Sequence, residues 1–202
     1  MDNVMNKLTY GLFVLSVNCH KRDNACIINT ATQVTTTPNV ITIAVNKANL
    51  TEEILHYTDD FTLSILAEDA DFSLFTRFGF QSGRDVEKFD GFDDCVRTSN
   101  GAYAVTAGTN GYLCAHVVER IDRGTHTLFV AEVTDQQSLS DVPSASYAYY
   151  HSHIKPKPPE KKSEKTVWRC TVCGYEYEGE ELPDDFVCPL CHHGKADFEK
   201  IG

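Results

Sequence analysis

The sequence predicts a mainly β protein with added helices: an antiparallel barrel, closed or partly closed, then a linker and a small metal-knuckle domain. Three observations predict this. Short runs that alternate apolar and polar residues, separated by turn signals, fill residues 1–150 and do not alternate strictly with helical patterns. A tract rich in Pro and Lys interrupts the chain over 151–166. Two Cys-x-x-Cys units then stand within residues 167–202.

In chain order, the apolar stretch from Leu8 to Val17 reads as a strand. It is followed closely by His20, Lys21, Arg22 and Asp23, which does not suit a secretion signal. Val40–Val45 and Phe61–Leu66 suit half-buried strands. Tyr112–Ile121 and Thr125–Val133 flank Asp122-Arg123-Gly124, a hairpin signal. Thr51 is placed to cap a helix with Glu52 and Glu53 in its first turn, and Asp71–Phe78 suits a second helix.

Charge and composition narrow the function. The 202 residues are 42% hydrophobic and 23% charged, with a net charge of −11. Nucleic acid and anionic membrane surfaces both call for a basic face, so neither is expected as a partner. No run of 18 apolar residues is present, so no transmembrane helix is expected. The tract 151–166 carries five Lys, two Glu and three Pro with hardly any apolar side chains, too little to offset the entropy of ordering. Sixteen such residues reach roughly 50 Å if extended, so the units on either side are expected to move relative to one another. The flanking segments 1–150 and 167–202 are both acidic.

The most specific motif is Cys170-Thr-Val-Cys173 with Cys188-Pro-Leu-Cys191, two units separated by fourteen residues. Each turns two thiolates toward one point, and four sulfurs in a tetrahedron suit Zn²⁺ or a single iron. Metal binding would supply the folding energy that so short a domain lacks. Two disulfides of a secreted protein are the other reading, disfavoured without a signal peptide; a reduced site implies the cytoplasm. The surrounding residues choose the metal. Trp168 through Tyr177, Leu182 through Cys191 and Lys195-Ala-Asp-Phe198 resemble rubredoxin along the whole segment, with a spacing closer to the rubredoxin-like tail of rubrerythrins. The resemblance implies one iron carrying one electron, with Trp168, Tyr175, Tyr177, Phe186 and Phe198 as a small core; zinc is the alternative occupant. His192 stands where Gly is usual, at a position expected to need a positive φ, which His tolerates better than most residues.

Residues 1–150 contain no G-x-G-x-x-G after a strand and no Walker A loop. They do place polar and basic groups at strand ends: Asn29-Thr30 and Gln33-Val34, Asn46-Lys47-Ala-Asn49-Leu-Thr51, and Ser82-Gly83-Arg84-Asp85 with Lys88. A helix start carrying Lys47, Asn49 and Thr51 suits phosphate, to which Arg84 and Lys88 add cationic contacts.

The strings Asn29–Thr35, Val45–Thr51, Phe80–Phe89 and Gly124–Val133, in that order, resemble the flavin reductase family with the FMN-binding split barrel, which includes flavoredoxin. The resemblance implies a homodimer with one FMN per subunit and NAD(P)H as co-substrate. Lys47, Asn49, Thr51, Ser82, Arg84 and Lys88 would hold the phosphate and ribityl chain, with Asn46, Gly83 and Asp85 on the same loops. Asn29, Thr30, Gln33 and Val34 would lie along the isoalloxazine. His126 falls in the family's Gly-Asp-His string, with Thr125 replacing the Asp, and would stand near the nicotinamide as the catalytic candidate; the alternative is a strand-surface histidine.

Cys19, Cys26, Cys95 and Cys114 lack ligand spacing and are given no role, although Cys19 and Cys26 flank a charged turn and could pair on oxidation. The fusion is similar to the high-molecular-weight rubredoxins of anaerobes. It implies hydride uptake from NAD(P)H and single-electron delivery to a protein acceptor such as a flavodiiron oxygen or nitric oxide reductase. Two alternatives are a flavin reductase supplying free reduced FMN and a zinc-ribbon-bearing FMN-binding module without turnover.

Overall fold

The computed structural model describes residues 4–20, 22–156 and 166–201. The elements of the first unit run β1 (Phe13–Cys19), β2 (Arg22–Ile28), β3 (Ala31–Thr36), β4 (Asn39–Asn46), α1 (Leu50–Thr58), β5 (Asp60–Leu66), α2 (Phe72–Gly79), β6 (Cys95–Arg97), β7 (Tyr103–Val105), β8 (Thr109–Arg123), β9 (His126–Ser138) and a short α3 (Tyr147–Tyr149). The second unit holds β10 (Val167–Cys170), β11 (Glu176–Glu178) and β12 (Phe198–Lys200).

Seven strands form one antiparallel sheet in the order β2-β1-β5-β8-β9-β4-β3, so β2 and β3 are its two edges. Those edges are consecutive in the chain, joined by Asn29 and Thr30 alone. Three peptide units span at most about 11 Å, whereas the edges of a flat seven-stranded sheet would lie about 29 Å apart. The sheet must therefore roll up; the Thr30 carbonyl, which accepts from the Ala44 amide at 3.3 Å, already continues the β3–β4 ladder. This is the expected barrel. Its interior packs Leu15, Val17, Ile43, Val45, Phe61 and Phe129 with Leu55 of α1, all fully buried. A second cluster behind β1 and β2 gathers Phe75 and Phe78 of α2 with Tyr150.

Several boundaries differ from the sequence reading for local reasons. The first strand begins at Phe13, not Leu8. The N-cap of α1 is Asn49 rather than Thr51, because Thr51 is drawn inward, where its hydroxyl accepts from Asn24 Nδ2 at 2.9 Å. Asp71 does cap α2, accepting from the Ser73 amide at 2.8 Å. The linker expected over 151–166 starts later: Tyr150–Ile154 form a π-helical turn, pinned by the Tyr150 ring 4.4 Å from that of Phe75. Residues 157–165 lie outside the described residues. Cys19 and Cys26 are not poised to pair, since Cys19 sits opposite Arg22 and Cys26 opposite Leu15 in the β1–β2 hairpin. Among the described residues no helix is long and apolar enough to cross a membrane.

Candidate functional site

The four sulfurs of Cys170, Cys173, Cys188 and Cys191 lie within 4.8 Å of one another, all buried. Cys170 and Cys191 are 3.6 Å apart and Cys173 and Cys188 3.5 Å. A tetrahedron with metal–sulfur bonds of ~2.3 Å has edges of about 3.8 Å, so the donor set fits one thiolate-bound ion. Backbone makes this cage. Gly174 and His192 both take positive φ, 76° and 59°, and their amides close tight turns onto the carbonyls of Cys170 and Cys188. The amides of Val172 and Cys173 donate to the Cys170 sulfur, that of Tyr175 to Cys173 and that of His193 to Cys191. Amide donors of this kind offset thiolate charge and tune a metal–sulfur centre. Phe186 packs edge-on against Phe198 at 5.3 Å and against Tyr177 at 4.8 Å, the expected aromatic core.

In the barrel, the start of α1 and the loop after α2 face each other across a cleft of about 190 Å³, lined among others by Asn24, Cys26, Asn49, Thr51, Ser82 and Lys88. The amides of Glu52 and Glu53 in α1 turn back to the Asn49 carbonyl at 3.1 and 3.4 Å, so the helix start offers a ligand the two before them, at Leu50 and Thr51. Lys88 is 4% exposed and donates to the Ala25 carbonyl at 2.8 Å and the Phe78 carbonyl at 3.0 Å. Two of its three N–H bonds are thus used, and the third remains for an anion. Burial holds its pKa below the usual lysine value, and burial likewise pushes the adjacent Cys26 thiol up. Gly83 is required because a methyl there would run into the Asn24 side chain. Together these donors fit a phosphate.

The cleft thus brings together Asn49, Thr51, Ser82, Gly83 and Lys88 from the predicted set. Arg84 borders it, paired with Glu53 of α1 at 2.9 Å, and the Asp85 amide donates to the Ser82 carbonyl. Asn46 accepts from the Ala48 amide, shaping the loop into α1. Lys47 turns away from the cleft to Asp122 of β8 at 2.5 Å, and that ammonium holds the Asp122 carboxyl below the usual range. Asn29 and Thr30 line a separate, wider hollow of about 700 Å³ with Tyr10, Tyr147 and His151. Cys26 and Asn29 are three residues apart on one strand path, about 10 Å. A ribityl chain can bridge such a gap. Gln33 lines a third, apolar groove with Phe13, Leu113 and Val133, where its amide donates to Asn39 at 2.8 Å; Val34 is exposed. His126 is half-buried at the start of β9, opposite Asn46, with Nδ1 2.9 Å from the Thr125 hydroxyl, and it lines neither hollow.

Sequence reasoning missed Asn24, Cys26, Phe80, Val172 and His193, all of which line the cleft. Asn24 follows the charged Arg22 and Asp23 at the start of β2 and carries no signal of its own; Cys26 and Phe80 become visible only in the folded barrel, and Val172 and His193 only once the two units are seen side by side. Phe80 packs against the four-sulfur cluster itself.

Residues 5–157 match the flavin reductase like domain family, and residues 168–199 match the rubrerythrin, rubredoxin-like domain. High molecular weight rubredoxin of Moorella thermoacetica is 33% identical over 98% of both chains. The ferric-chelate reductase (NAD(P)H) of Archaeoglobus fulgidus is 35% identical over 76% of this chain and 90% of its own. Among solved structures, the NADH:FAD oxidoreductase SgcE6 of Streptomyces globisporus, in complex with NAD and FAD fragments, superposes with a TM-score of 0.65. It is 21% identical over 79% of this chain and 92% of its own, a likeness of fold. The chain belongs to the flavin reductase like family, as an oxidoreductase with a rubredoxin-like metal centre behind its flavin-type barrel.

Proposed function

We propose that this chain accepts hydride from NAD(P)H onto FMN bound in the barrel and passes electrons singly through a one-iron, four-cysteine centre to a protein acceptor, for which a flavodiiron oxygen or nitric oxide reductase is suited. One observation carries this reading: the buried sulfur cluster packs against Phe80, which also lines the cleft that suits the flavin phosphate. FMN, when bound, supplies the conversion of a two-electron donation into one-electron steps.

The chain's own residues provide position and electrostatics. Lys88, Thr51, Ser82 and the first two amides of α1, those of Leu50 and Thr51, would hold the phosphate, while Asn29 and Thr30 would border the ring in the wider hollow. His126 would stand toward the nicotinamide. Lys47, committed to Asp122, would act on the loop rather than on the phosphate. The apolar groove with Phe13, Leu113 and Val133 supports a homodimer, because a second copy would cover it. The acidic metal unit would meet a basic patch on its acceptor, giving salt-dependent association.

Stopped-flow mixing with NADH under argon tests the order of events. Flavin should bleach first and iron second; iron that stays oxidised beside reduced flavin would refute the relay. A second reading has some support from sequence, since the reductase component of a 4-nitrophenol monooxygenase system from Rhodococcus opacus is 25% identical over 84% of both chains. In that case reduced flavin would leave the protein, and the iron would bleach slowly or not at all.

A further inference from the structure

We propose that the metal-knuckle unit is the lid of the phosphate cleft, so that a phosphorylated flavin and the docked knuckle stabilise one another. This rests on the reading of that cleft as the flavin-phosphate site and adds its regulation. The cleft is not closed by the barrel alone: Val172 and His193 line it opposite Asn49, Thr51 and Ser82. Both lie on the metal-binding turns. Val172 sits between Cys170 and Cys173, and since that turn aims its thiols inward, the intervening side chain points outward, 40% exposed. His193 follows the second pair; its Nδ1 donates to the Cys191 carbonyl at 3.0 Å, leaving Nε2 without that bond.

Neighbouring contacts make this a seam rather than a single touch. Val172 also reaches a second hollow, of about 220 Å³, lined by Phe80, Tyr150 and Lys155. A methyl at Gly174 would lie 2.8 Å from the Lys155 ammonium. The Phe80 ring rests on the sulfur cluster. The barrel thus contributes an aromatic wall and one cation, and the knuckle contributes its outer face.

Two elements that share one cavity are coupled by whatever fills it. If docking tightens FMN by some factor, FMN tightens docking by the same factor. Riboflavin, which has no phosphate, would leave the seam as it is. The lid therefore biases reduced flavin toward staying in place while the knuckle is docked, and electrons leave through the metal instead of on a diffusing cofactor.

The test uses the full-length, metal-loaded chain and Val172→Glu, which sets a carboxylate at the lid and keeps all four cysteines; the visible spectrum of the iron verifies loading. His193→Ala serves as a second variant. Affinities for FMN and riboflavin are read by quenching of flavin fluorescence, and amide exchange over 171–174 is followed with each flavin in the parent chain. Val172→Glu should weaken FMN about tenfold and riboflavin by less than about twofold, and FMN alone should slow exchange in the knuckle by a comparable factor. Equal losses for the two flavins, no loss in either variant, or knuckle exchange indifferent to FMN would overturn the lid. A parent chain that binds FMN more tightly than riboflavin and bleaches its iron normally, yet shows knuckle exchange indifferent to FMN, would sink the lid alone. One that binds neither flavin would sink the flavin site with it.

Discussion

Replacing Lys88 by Met separates what this residue does for the barrel from what it does for phosphate. Its ammonium holds two buried carbonyls, of Ala25 in β2 and Phe78 in α2, and so ties the helix to the strand. A bond from a charged donor contributes about 1.5–3 kcal/mol, so the pair contributes about 3–6 kcal/mol. Against this stands the cost of keeping a cation in a site where burial depresses its pKa, a cost that methionine removes. The net expectation is a loss of about 2–4 kcal/mol, or about 5–15 °C in Tm for a domain of this size. The sign with pH is also fixed. The folded pKa lies below the unfolded value of 10.5, so in that window the unfolded chain binds the extra proton and the parent gains stability as pH rises. Lys88→Met should lack that gain, and the gap between the two proteins should widen toward pH 10.5. In binding, loss of one charged bond predicts FMN weakened about 10- to 100-fold, with riboflavin within about twofold. Thermal melts of the flavin-free protein across pH and flavin titrations at neutral pH measure both. A Tm within about 2 °C of the parent, or equal losses for FMN and riboflavin, would refute the reasoning.

Glu52 is buried and accepts from Thr127 at 2.5 Å, fixing α1 to β9; Glu52→Ala should orphan that hydroxyl and cost about 1–3 kcal/mol, visible as a lower denaturant midpoint without change in slope. Gly83→Ala should force the Asn24 side chain off Thr51 and cost about 1–3 kcal/mol. Its weakened FMN binding would show in equilibrium titration. Removing the metal, by chelation or by Cys188→Ser, should unfold residues 167–202 while the barrel melts as before, because bound metal supplies about 10–16 kcal/mol to a small thiolate domain. Circular dichroism and the loss of visible absorbance together read that outcome.

The metal cage was legible in the sequence because all its determinants are local: two pairs of cysteines and a positive φ at each turn, down to His192 in place of glycine. The strands were legible for the same reason. The cleft was legible only in part. Thr51, Ser82 and Lys88 could be named, but Asn24 reaches Thr51 across 27 positions of chain, and a polar residue in a strand does not announce which neighbour it will meet. Lys47 shows the converse: its loop suits phosphate, yet Asp122, 75 positions on, takes the charge. Likewise Tyr150 looked like the end of a domain, and only the Phe75 ring beneath it shows that the fold continues.

The long β8–β9 ribbon has a mechanical consequence. β8 carries β5, and through it β1 and β2, whereas β9 carries β4 and β3; among the described residues the strand pairing between the two halves runs along this ribbon. The pairing slips between Cys114 and Ala115 and again between Val117 and Glu119. Each slip bends and twists a ladder. The ribbon therefore works as a torsion bar. Its built-in twist sets the angle at which the Asn46–Asn49 corner confronts Asn24, so the aperture of the cleft is governed by residues that never touch what it holds.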